Sequence, residues 1–492
     1  MTTAEIPDSI HFGGRWQRGR GTPLECADPA SGEVIAKLTA ASADDVDEAA
    51  RLGAEAAARE SWRDLLPHER ARLLHRVGDL VERDLEELAL LQTRNTGKTL
   101  GETRALVASA AGTFRFYSAA LETTETSLTP QRGDYLTMSV REPIGVVGAI
   151  TPWNSPIASD AQKIAPALAA GNAVLLKPAE ATPLVSLALA RLVVEAGIPP
   201  ALLSVLPGAG SVVGDAVVRH PLVRRVSFTG GTDTGRAIGR AAADKIMPIT
   251  SELGGKSPTI VFPDADQDQA LAGVLFGIFS SSGQSCIAGS RIFVHESIYA
   301  EFADRLVAAT RALRVGPGTA PDTQVGPLAT FAHRDRVASL VDRARAEGGR
   351  VLCGGRRPED PGLEHGAYYL PTLIDGLPND STTCQEEIFG PVGVVLPFGD
   401  EDDLVARAND TVYGLACGIW TSDYRRAWRV ARRVEAGTVW VNTYKRFSIA
   451  TPFSGTKDSG LGTDKGRDGI LQYTRQKSIY WGLDENERLW RI

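Results

Sequence analysis

Between Gly145 and Pro263, short apolar runs alternate with amphipathic segments, and this alternation limits the folds that the chain can adopt. The runs are GVVGAI, AVLLK, LLSVLPG, RRVSFTG and SPTIVF, and the segments between them include PLVSLALARLVVEAG, SVVGDAVVRH and TGRAIGRAAAD. Strands that alternate with helices predict a parallel sheet with helices on both faces. Ligands of such α/β sheets bind beyond the carboxyl ends of the strands, so we expect functional residues in the strand-to-helix loops.

The regions on either side of this alternation predict further structural units. Residues from about Ala43 to Ser118 carry apolar positions at helical spacing, and a second α/β stretch runs from about Asp264 to Thr474. The segments YLTMSVREPIG and KSIYWGL are typical of strands. A chain of 492 residues also exceeds what a single hydrophobic core usually serves. Two or three domains of the α/β class are therefore expected.

Composition and charge exclude several classes of function. The net charge of −7 is spread along the chain, and no basic stripe with interleaved aromatic residues indicates nucleic-acid binding. No apolar run approaches the roughly 18 residues of a membrane span, and no secretory signal is readable at the amino terminus. The five cysteines are scattered without a CxxC pair, so neither a metal site nor a disulfide framework is predicted. We expect a reduced, cytoplasmic protein.

Two of the loops have the composition of a nucleotide site. Gly230 and Gly231 lie between a strand and a helix, where backbone N–H groups can bind phosphate, although a tight structural turn would look the same. Lys177 and Glu180 follow another strand. A carboxylate there can accept both hydroxyls of an adenosine ribose and would repel a 2′-phosphate, but it also suits an ordinary helix start.

Three residues could carry catalysis. Asn154, in a turn bracketed by prolines, could direct an amide N–H at an oxyanion or simply form the turn. Glu252 precedes a double glycine and could be a general base or a surface carboxylate. Cys286, in SSSGQSCIAGSR, could be a nucleophile or a buried apolar residue. None of the seven histidines lies in these loops, so Glu252 is the better candidate for a base that would serve Cys286.

The order of these motifs resembles one family. PWNSP, KPAE, FTGGTDTG, ELGGKSP, GQSCIAG, EEIFGPV and PFSGTKDSG occur at the spacing of the NAD(P)-dependent aldehyde dehydrogenase superfamily. The resemblance implies a Rossmann-like NAD-binding domain (1–122 and 144–254), an α/β catalytic domain (255–474) and a small β oligomerisation element (123–143 and 475–492). It also implies a homodimer or homotetramer.

The resemblance implies a role for each site residue. Cys286 would attack the aldehyde, Asn154 would bind the resulting oxyanion, and Glu252 would activate the water that hydrolyses the thioester. Glu252 also indicates the hydrolytic branch of the superfamily, since members that use coenzyme A generally lack this residue. NAD, in preference to NADP, is the cofactor that the resemblance implies, and its binding residues would be Trp153, Lys177, Glu180, Gly230, Gly231, Glu387 and Phe389.

The substrate channel departs from the common family pattern. Ser155 and Gln162 stand where phenylalanine and tryptophan are frequent, and GTDKG replaces the usual GREnG. Phe447 and Phe453 remain as expected apolar walls, while Lys445 and Arg446 fall in the loop at the tunnel mouth. These two basic residues could be merely solvated. They could also select an aldehyde that carries a carboxylate or several hydroxyls, and the channel predicts a polar or carboxylated substrate.

Two other functions remain open at this point. The chain could be a catalytically idle relative that serves as a structural or binding protein, although Asn154, Glu252 and Cys286 are all present. It could also be a thioesterase-like hydrolase that uses Cys286 without redox chemistry. In that case the predicted ribose-binding residues Glu180 and Glu387 would have no purpose.

Overall fold

A computed structural model describes residues 8–484, and its larger sheet contains most of the strands that the alternation predicts. Five neighbouring strands of its eight pair in parallel, and the three strands at its margins are joined by antiparallel pairings. In sheet order the strands are Arg15–Gln17, Ile10–Phe12, Leu203–Val205, Ala173–Lys177, Val146–Ile150, Val223–Thr229, Ile249–Glu252 and Gly460–Leu461. The two central strands are buried at every position, as expected when helices cover both faces. The expected α/β class is confirmed.

A second sheet of seven strands contains the later α/β stretch. Its order is Arg350–Cys353, Thr372–Asp375, Val392–Phe398, Arg291–His295, Pro258–Val261, Ala416–Trp420 and Thr438–Val441. All neighbours are parallel except the first pair. The expectation that SPTIVF continues the first sheet is wrong, because Pro258–Val261 pairs on both sides with strands of the second sheet.

Helices pack against both sheets, and their ends follow local capping chemistry. The helical stretch expected from about Ala43 to Ser118 is divided into several helices, with one interruption at Asp84. Ser42 and Thr99 begin the helices that follow them with side-chain caps. The α-helices are Ala43–Ala58, Glu60–Arg63, Pro67–Arg83, Leu85–Thr96, Leu100–Glu122, Pro156–Ala169, Leu184–Glu195, Asp215–Arg219, Thr232–Ala243, Gln267–Phe279, Tyr299–Arg311, Phe331–Ala346, Thr382–Gln385, Glu401–Asn409 and Tyr424–Arg433.

Three small sheets complete the structure. Tyr135–Pro143 pairs along its whole length with Thr474–Gly482 and also with Ser127–Thr129. The two-stranded sheets are Pro23–Ala27 with Val34–Thr39, and Tyr413–Gly414 with Thr456–Lys457. Within residues 8–484, no helix has both the length and the apolar content needed to cross a membrane.

We propose the expected division into domains, with one difference from the predicted ranges. Gly460–Leu461 falls within 255–474 but pairs with Ile249–Glu252, so a return segment of the second unit joins the edge of the first sheet. Residues 1–7 of the expected cofactor domain and residues 485–492 of the expected oligomerisation element lie outside the described residues.

Candidate active site

A cavity of about 1230 Å³ lies between the two sheets. The loops that follow four adjacent parallel strands of the first sheet open into it, together with the loops that precede Arg291–His295 and Val392–Phe398 of the second. This edge is where α/β sheets bind ligands. The cavity is lined by all ten predicted catalytic and cofactor residues, namely Trp153, Asn154, Lys177, Glu180, Gly230, Gly231, Glu252, Cys286, Glu387 and Phe389.

Glu252 ends the strand Ile249–Glu252 and is buried with both carboxyl oxygens lacking a hydrogen-bond partner among the described residues. Its strand is held on the outer side by the antiparallel pairing of Glu252 with Gly460. Burial raises the pKa of Glu252 well above its ordinary value, and the nearby Asp464 carboxylate raises it further. An unsatisfied buried carboxyl group is costly, so its position at a cavity wall indicates a functional role.

The double glycine after Glu252 is required by two close neighbours. A Cβ on Gly254 would lie 2.5 Å from the Glu387 carboxylate oxygen, and a Cβ on Gly255 would lie 2.5 Å from the Cys286 carbonyl oxygen. The Gly255 N–H also donates to Glu387 Oε1 at 2.9 Å. The ELGG segment therefore brings three motifs together, which are the Glu252 strand, the cysteine loop and EEIFGPV.

The loop before Cys286 has an unusual backbone. Ser281 and Ser282 have φ values of 57° and 55°, in the left-handed region that non-glycine residues rarely adopt. Glu102 Oε1 accepts the Ser281 N–H at 2.6 Å, and the Ser282 hydroxyl donates to the Gly326 carbonyl at 2.8 Å. Such strain persists only where the surroundings over-determine it, which is common at functional sites.

Cys286 is partly exposed, whereas the other four cysteines are buried. Burial, with the Glu387 and Glu252 carboxyl groups acting in the same direction, raises the pKa of the Cys286 thiol to about 12. Asn154 lies beside it, since its Nδ2 donates to the carbonyl oxygen of Gln284 in the same loop at 2.8 Å. A neutral thiol, an amide donor and an unpaired carboxyl group are thus close to one another.

The first-sheet side of the cavity carries the predicted adenosine and phosphate residues. Lys177 ends its strand in a buried position, and burial lowers the pKa of its ammonium group. Glu180 is exposed and accepts the Gly210 N–H at 3.0 Å. Gly231 caps the helix Thr232–Ala243, and a Cβ built there meets no atom of the described residues within 4 Å. The backbone at this helix start is therefore accessible to a ligand in the cavity.

The second-sheet side is aromatic. The Trp153 ring lies edge-on to Phe389 and to His333, with centroids 5.1 Å apart in each case. The Nε2–H of His333 donates to the Phe389 carbonyl at 2.7 Å, and burial lowers the pKa of His333. His333 and Arg336 line the cavity from the helix Phe331–Ala346, yet neither belongs to a motif quoted above. Sequence reasoning missed them because only tertiary folding brings this helix to the site.

The four predicted substrate residues are absent from the described cavity lining. Ser155 immediately precedes the helix Pro156–Ala169 that carries Gln162, and their spacing of seven places both on one face of that segment. The Phe447 and Phe453 rings lie edge to face at 5.6 Å, and Phe453 packs against the small apolar cluster that also contacts Cys286.

The two basic residues predicted at the tunnel mouth differ in their exposure to solvent. Arg446 is exposed, while Lys445 is partly buried and lies within electrostatic reach of Cys286. Lys465, from the GTDKG segment, also lies within reach of Cys286, and its Nζ is 4.1 Å from the Phe447 ring centroid. The replacement of the usual GREnG pattern by GTDKG was the one sequence signal that could have indicated a role for Lys465 in the site.

Known proteins resemble this chain over nearly its whole length. Residues 16–479 match the model of the aldehyde dehydrogenase family. A betaine aldehyde dehydrogenase from Cereibacter sphaeroides is 42% identical over 482 residues, which are 97% of this chain and 98% of that protein. Another from Brucella anthropi is 41% identical over 477 residues, 96% of this chain and 97% of that protein.

Solved structures agree with the sequence relatives. The NAD⁺ complex of an aldehyde dehydrogenase from Bacillus cereus superposes with a TM-score of 0.95 at 37% identity, covering 98% of this chain and 97% of that one. The resemblance and the fold expected from the motifs are confirmed. The chain belongs to the aldehyde dehydrogenase family.

Proposed function

We propose that the chain oxidises an aldehyde to the carboxylic acid with NAD as cofactor, through a thiohemiacetal and then a thioester on Cys286. The observation that supports this most strongly is the meeting of Cys286, Asn154 and an unpaired Glu252 carboxyl group at one end of a long cavity. The family membership and the NAD⁺ complex of the Bacillus cereus relative point to the same chemistry.

The residues along the cavity fit a dinucleotide. Lys177 and Glu180 would bind the adenosine ribose, Gly230 and Gly231 would leave room for the pyrophosphate at the helix start, and Glu387 would accept the hydroxyls of the second ribose. Trp153 and Phe389 would bound the nicotinamide side. NAD, when bound, supplies the hydride acceptor. The Glu180 carboxylate would repel the 2′-phosphate of NADP, which favours NAD.

Cys286 begins the reaction as a neutral thiol, since burial raises its pKa to about 12. Its proton must therefore leave as sulfur attacks the aldehyde carbon, and Glu252 is the carboxyl group placed to accept it. Asn154 has two N–H donors and uses one on Gln284, so the second is available for the oxyanion. The Cys286 backbone N–H would be the other donor. One such donor is typically worth about 3–4 kcal/mol in the transition state.

Glu252 acts again after it has released the thiol proton to solvent and hydride has left the tetrahedral carbon. The thioester on Cys286 must then be attacked by water, and a buried carboxyl group with a raised pKa is a suitable general base for this step. Water adds to the thioester carbon and its proton passes to Glu252. The carbon–sulfur bond then breaks to release the acid, and Glu252 returns the proton to sulfur to regenerate the thiol. The substrate that the channel residues favour is a polar or carboxylated aldehyde.

A panel of aliphatic, aromatic, polyhydroxy and carboxylated aldehydes tests this function, with NAD and NADP, by absorbance at the NADH band. Cys286→Ala is the matched control. We expect NADH to form with wild type alone and faster with NAD than with NADP. Measurable NAD binding without oxidation of any aldehyde would favour the idle-relative reading, and ester hydrolysis without NAD binding would favour the hydrolase reading.

Betaine aldehyde is a second candidate substrate, because the relatives at 41–42% identity carry that name. Quaternary ammonium groups bind to aromatic faces. Here the ammonium group of Lys465 lies 4.1 Å from the Phe447 centroid and 5.2 Å from that of Phe453. A permanent cation would be repelled there, so we expect betaine aldehyde to rank below carboxylated aldehydes in the panel.

We also propose that the sheet formed by Ser127–Thr129, Tyr135–Pro143 and Thr474–Gly482 mediates assembly into a homodimer or homotetramer. Its edge strand exposes Tyr480 and Trp481, and an unpaired strand edge readily pairs with another chain. Light scattering on wild type and on Trp481→Lys tests this, with a smaller assembly expected for the variant. A monomeric wild type would contradict the proposal.

A further inference from the structure

Two lysine side chains lie close to Cys286 outside the lining of the cofactor cavity. Lys445 and Lys465 both exert an electrostatic effect on the Cys286 thiol, and Lys465 also acts on the Glu252 carboxyl group. Among residues 8–484, neither lysine forms an ion pair with a carboxylate within 4.0 Å. Partly buried cations without a carboxylate in contact are uncommon, because desolvating a charge is costly unless it is paired.

The position of Lys465 is fixed by its neighbours. Asp464 and Phe453 exchange backbone hydrogen bonds of 2.8 and 2.9 Å, and the Asp464 carboxylate accepts from Lys163 Nζ at 3.0 Å. The Asp464 carboxylate is therefore already bound to another cation. The Lys465 ammonium group instead lies over the rings of Phe447 and Phe453, the two residues predicted to form the apolar wall of the substrate tunnel.

Lys445 reaches the same region from another direction. Its Nζ donates to the Ser280 hydroxyl at 2.7 Å, at the start of the strained loop that carries Cys286. The largest acidic influence on Lys445 is Glu102, whose carboxylate is already engaged by the N–H groups of Ser281 and Thr99. Within the described part of the chain, neither lysine is thus directly neutralised by a carboxylate, and both lie within electrostatic reach of the Cys286 sulfur.

We propose that Lys465, supported by Lys445, binds the carboxylate of an ω-oxo acid while the aldehyde carbon of the same molecule lies at Cys286. The methylene chain of such a substrate would lie along Phe447 and Phe453, and its carboxylate would supply the missing anionic partner. This inference rests on the proposed aldehyde oxidation. It narrows the substrate from a polar aldehyde to a short carboxylated one and assigns its recognition to Lys465.

Substrate selectivity is the first test. Succinate semialdehyde and butanal have four carbons each and differ in the terminal carboxylate, so the ratio of their kcat/KM values measures its recognition. We expect Lys465→Met to lower kcat/KM for succinate semialdehyde by about 10- to 100-fold, as befits loss of a charge-assisted bond, and to change the value for butanal by less than about threefold. Lys465→Arg should retain most of the preference, and Lys37→Met, at an exposed distant lysine, should retain all of it.

The same assay can overturn the inference. Equal effects of Lys465→Met on both aldehydes would mean that the lysine has only a structural role. If wild type oxidises butanal as efficiently as succinate semialdehyde, the proposed aldehyde oxidation is supported and the proposed carboxylate subsite is contradicted.

Alkylation of Cys286 tests the subsite without NAD. Iodoacetate carries a carboxylate, and iodoacetamide is its neutral counterpart. The ratio of their alkylation rates at Cys286, followed by mass spectrometry of the Cys286 peptide, therefore measures how strongly the site attracts a negative charge. We expect Lys465→Met to lower this ratio at least about threefold relative to wild type and Lys37→Met. An unchanged ratio contradicts the subsite. A lowered ratio in a chain that oxidises no aldehyde would support the subsite and contradict the proposed function.

Discussion

The carbonyl oxygen of Cys286 lies so close to Gly255 that a Cβ at residue 255 would be 2.5 Å from it. The loop that carries Cys286 is therefore packed directly on the backbone that follows Glu252. This contact fixes the proposed base and the proposed nucleophile relative to each other, and it explains why residue 255 is a glycine.

Substituting Gly255 should consequently displace the reacting groups. We expect Gly255→Ala to lower kcat/KM at least about tenfold, since a shift of the order of 1 Å can cost about 100-fold. Gly101→Ala is the matched control, because a Cβ there meets no atom of residues 8–484 within 4 Å and the residue lies in a helix. Steady-state kinetics of both variants, with thermal unfolding as a check on folding, measures the effect. Wild-type activity in Gly255→Ala would contradict the packing described.

Cofactor affinity should depend on the ionisation of Glu387. Burial raises the pKa of this carboxyl group to about 7, while the Gly255 N–H bond opposes the shift. With a pKa of about 7, the Glu387 carboxyl group is largely neutral at pH 6 and largely ionised at pH 8. Only its ionised form accepts hydrogen bonds from both ribose hydroxyls. We expect the Kd for NAD to fall by up to about tenfold over this range.

Calorimetric titration at pH 6, 7 and 8 measures this dependence. Glu387→Gln cannot ionise, so its weaker binding should not change with pH. The same slope in wild type and in Glu387→Gln would show that another group controls the affinity.

The thiol of Cys286 should react slowly at neutral pH before NAD binds. Because burial raises its pKa to about 12, the thiolate fraction should increase about tenfold for each pH unit between pH 6 and 9. Iodoacetamide labelling of the Cys286 peptide should follow that slope without a plateau. A plateau below pH 8 would mean that the thiolate is already formed in the protein without cofactor.

The preference for a carboxylated aldehyde should weaken as the pH rises above 7. Burial lowers the pKa of Lys445 to about 7, with Lys98 acting in the same direction and Glu102 and Cys286 opposing it. Burial also lowers the pKa of Lys465, although the nearby Asp464, Cys286 and Glu252 groups act to raise it. Both lysines therefore lose charge at lower pH than an exposed lysine does.

We expect the kcat/KM ratio of succinate semialdehyde to butanal to fall between pH 6.5 and 9. Ionisation of Cys286 changes kcat/KM for both substrates by the same factor, so its effect cancels in the ratio. A ratio that rises with pH would contradict the assignment of the positive charges.

The sequence predicts the cavity lining better for the proposed cofactor residues than for the proposed substrate residues. Glu180 and Gly231 follow strands whose apolar runs are unambiguous, so the topology of the sheet alone places their loops at one edge. The strand Ile249–Glu252, in contrast, has no apolar run and is not among the predicted strands. The close contacts of Gly254 and Gly255 with Glu387 and Cys286 depend on how the two sheets face each other, which no local pattern encodes.

The residues missed by sequence reasoning share a physical cause. His333 enters from a helix with no motif, and Lys465 follows an aspartate whose partner, Lys163, is 301 positions away. Likewise Gly460–Leu461 joins the first sheet through a pairing that spans more than 200 residues. Arg446 and Lys445 are adjacent in sequence, but only the fold shows that Arg446 is exposed and that Lys445 is partly buried within electrostatic reach of Cys286.

The most direct test of the account is a rapid-mixing experiment with Glu252→Gln, wild type and Cys286→Ala, in which NADH formation is followed from the first turnover. Glu252→Gln should form up to one NADH per subunit, more slowly than wild type because the thiol proton must then pass to water. It should then turn over about 100- to 10,000-fold more slowly than wild type, because the thioester on Cys286 lacks its general base. Mass spectrometry should find the acyl group on Cys286, and Cys286→Ala should form no NADH. Steady turnover by Glu252→Gln at the wild-type rate, or NADH formation by Cys286→Ala, would contradict the proposed mechanism.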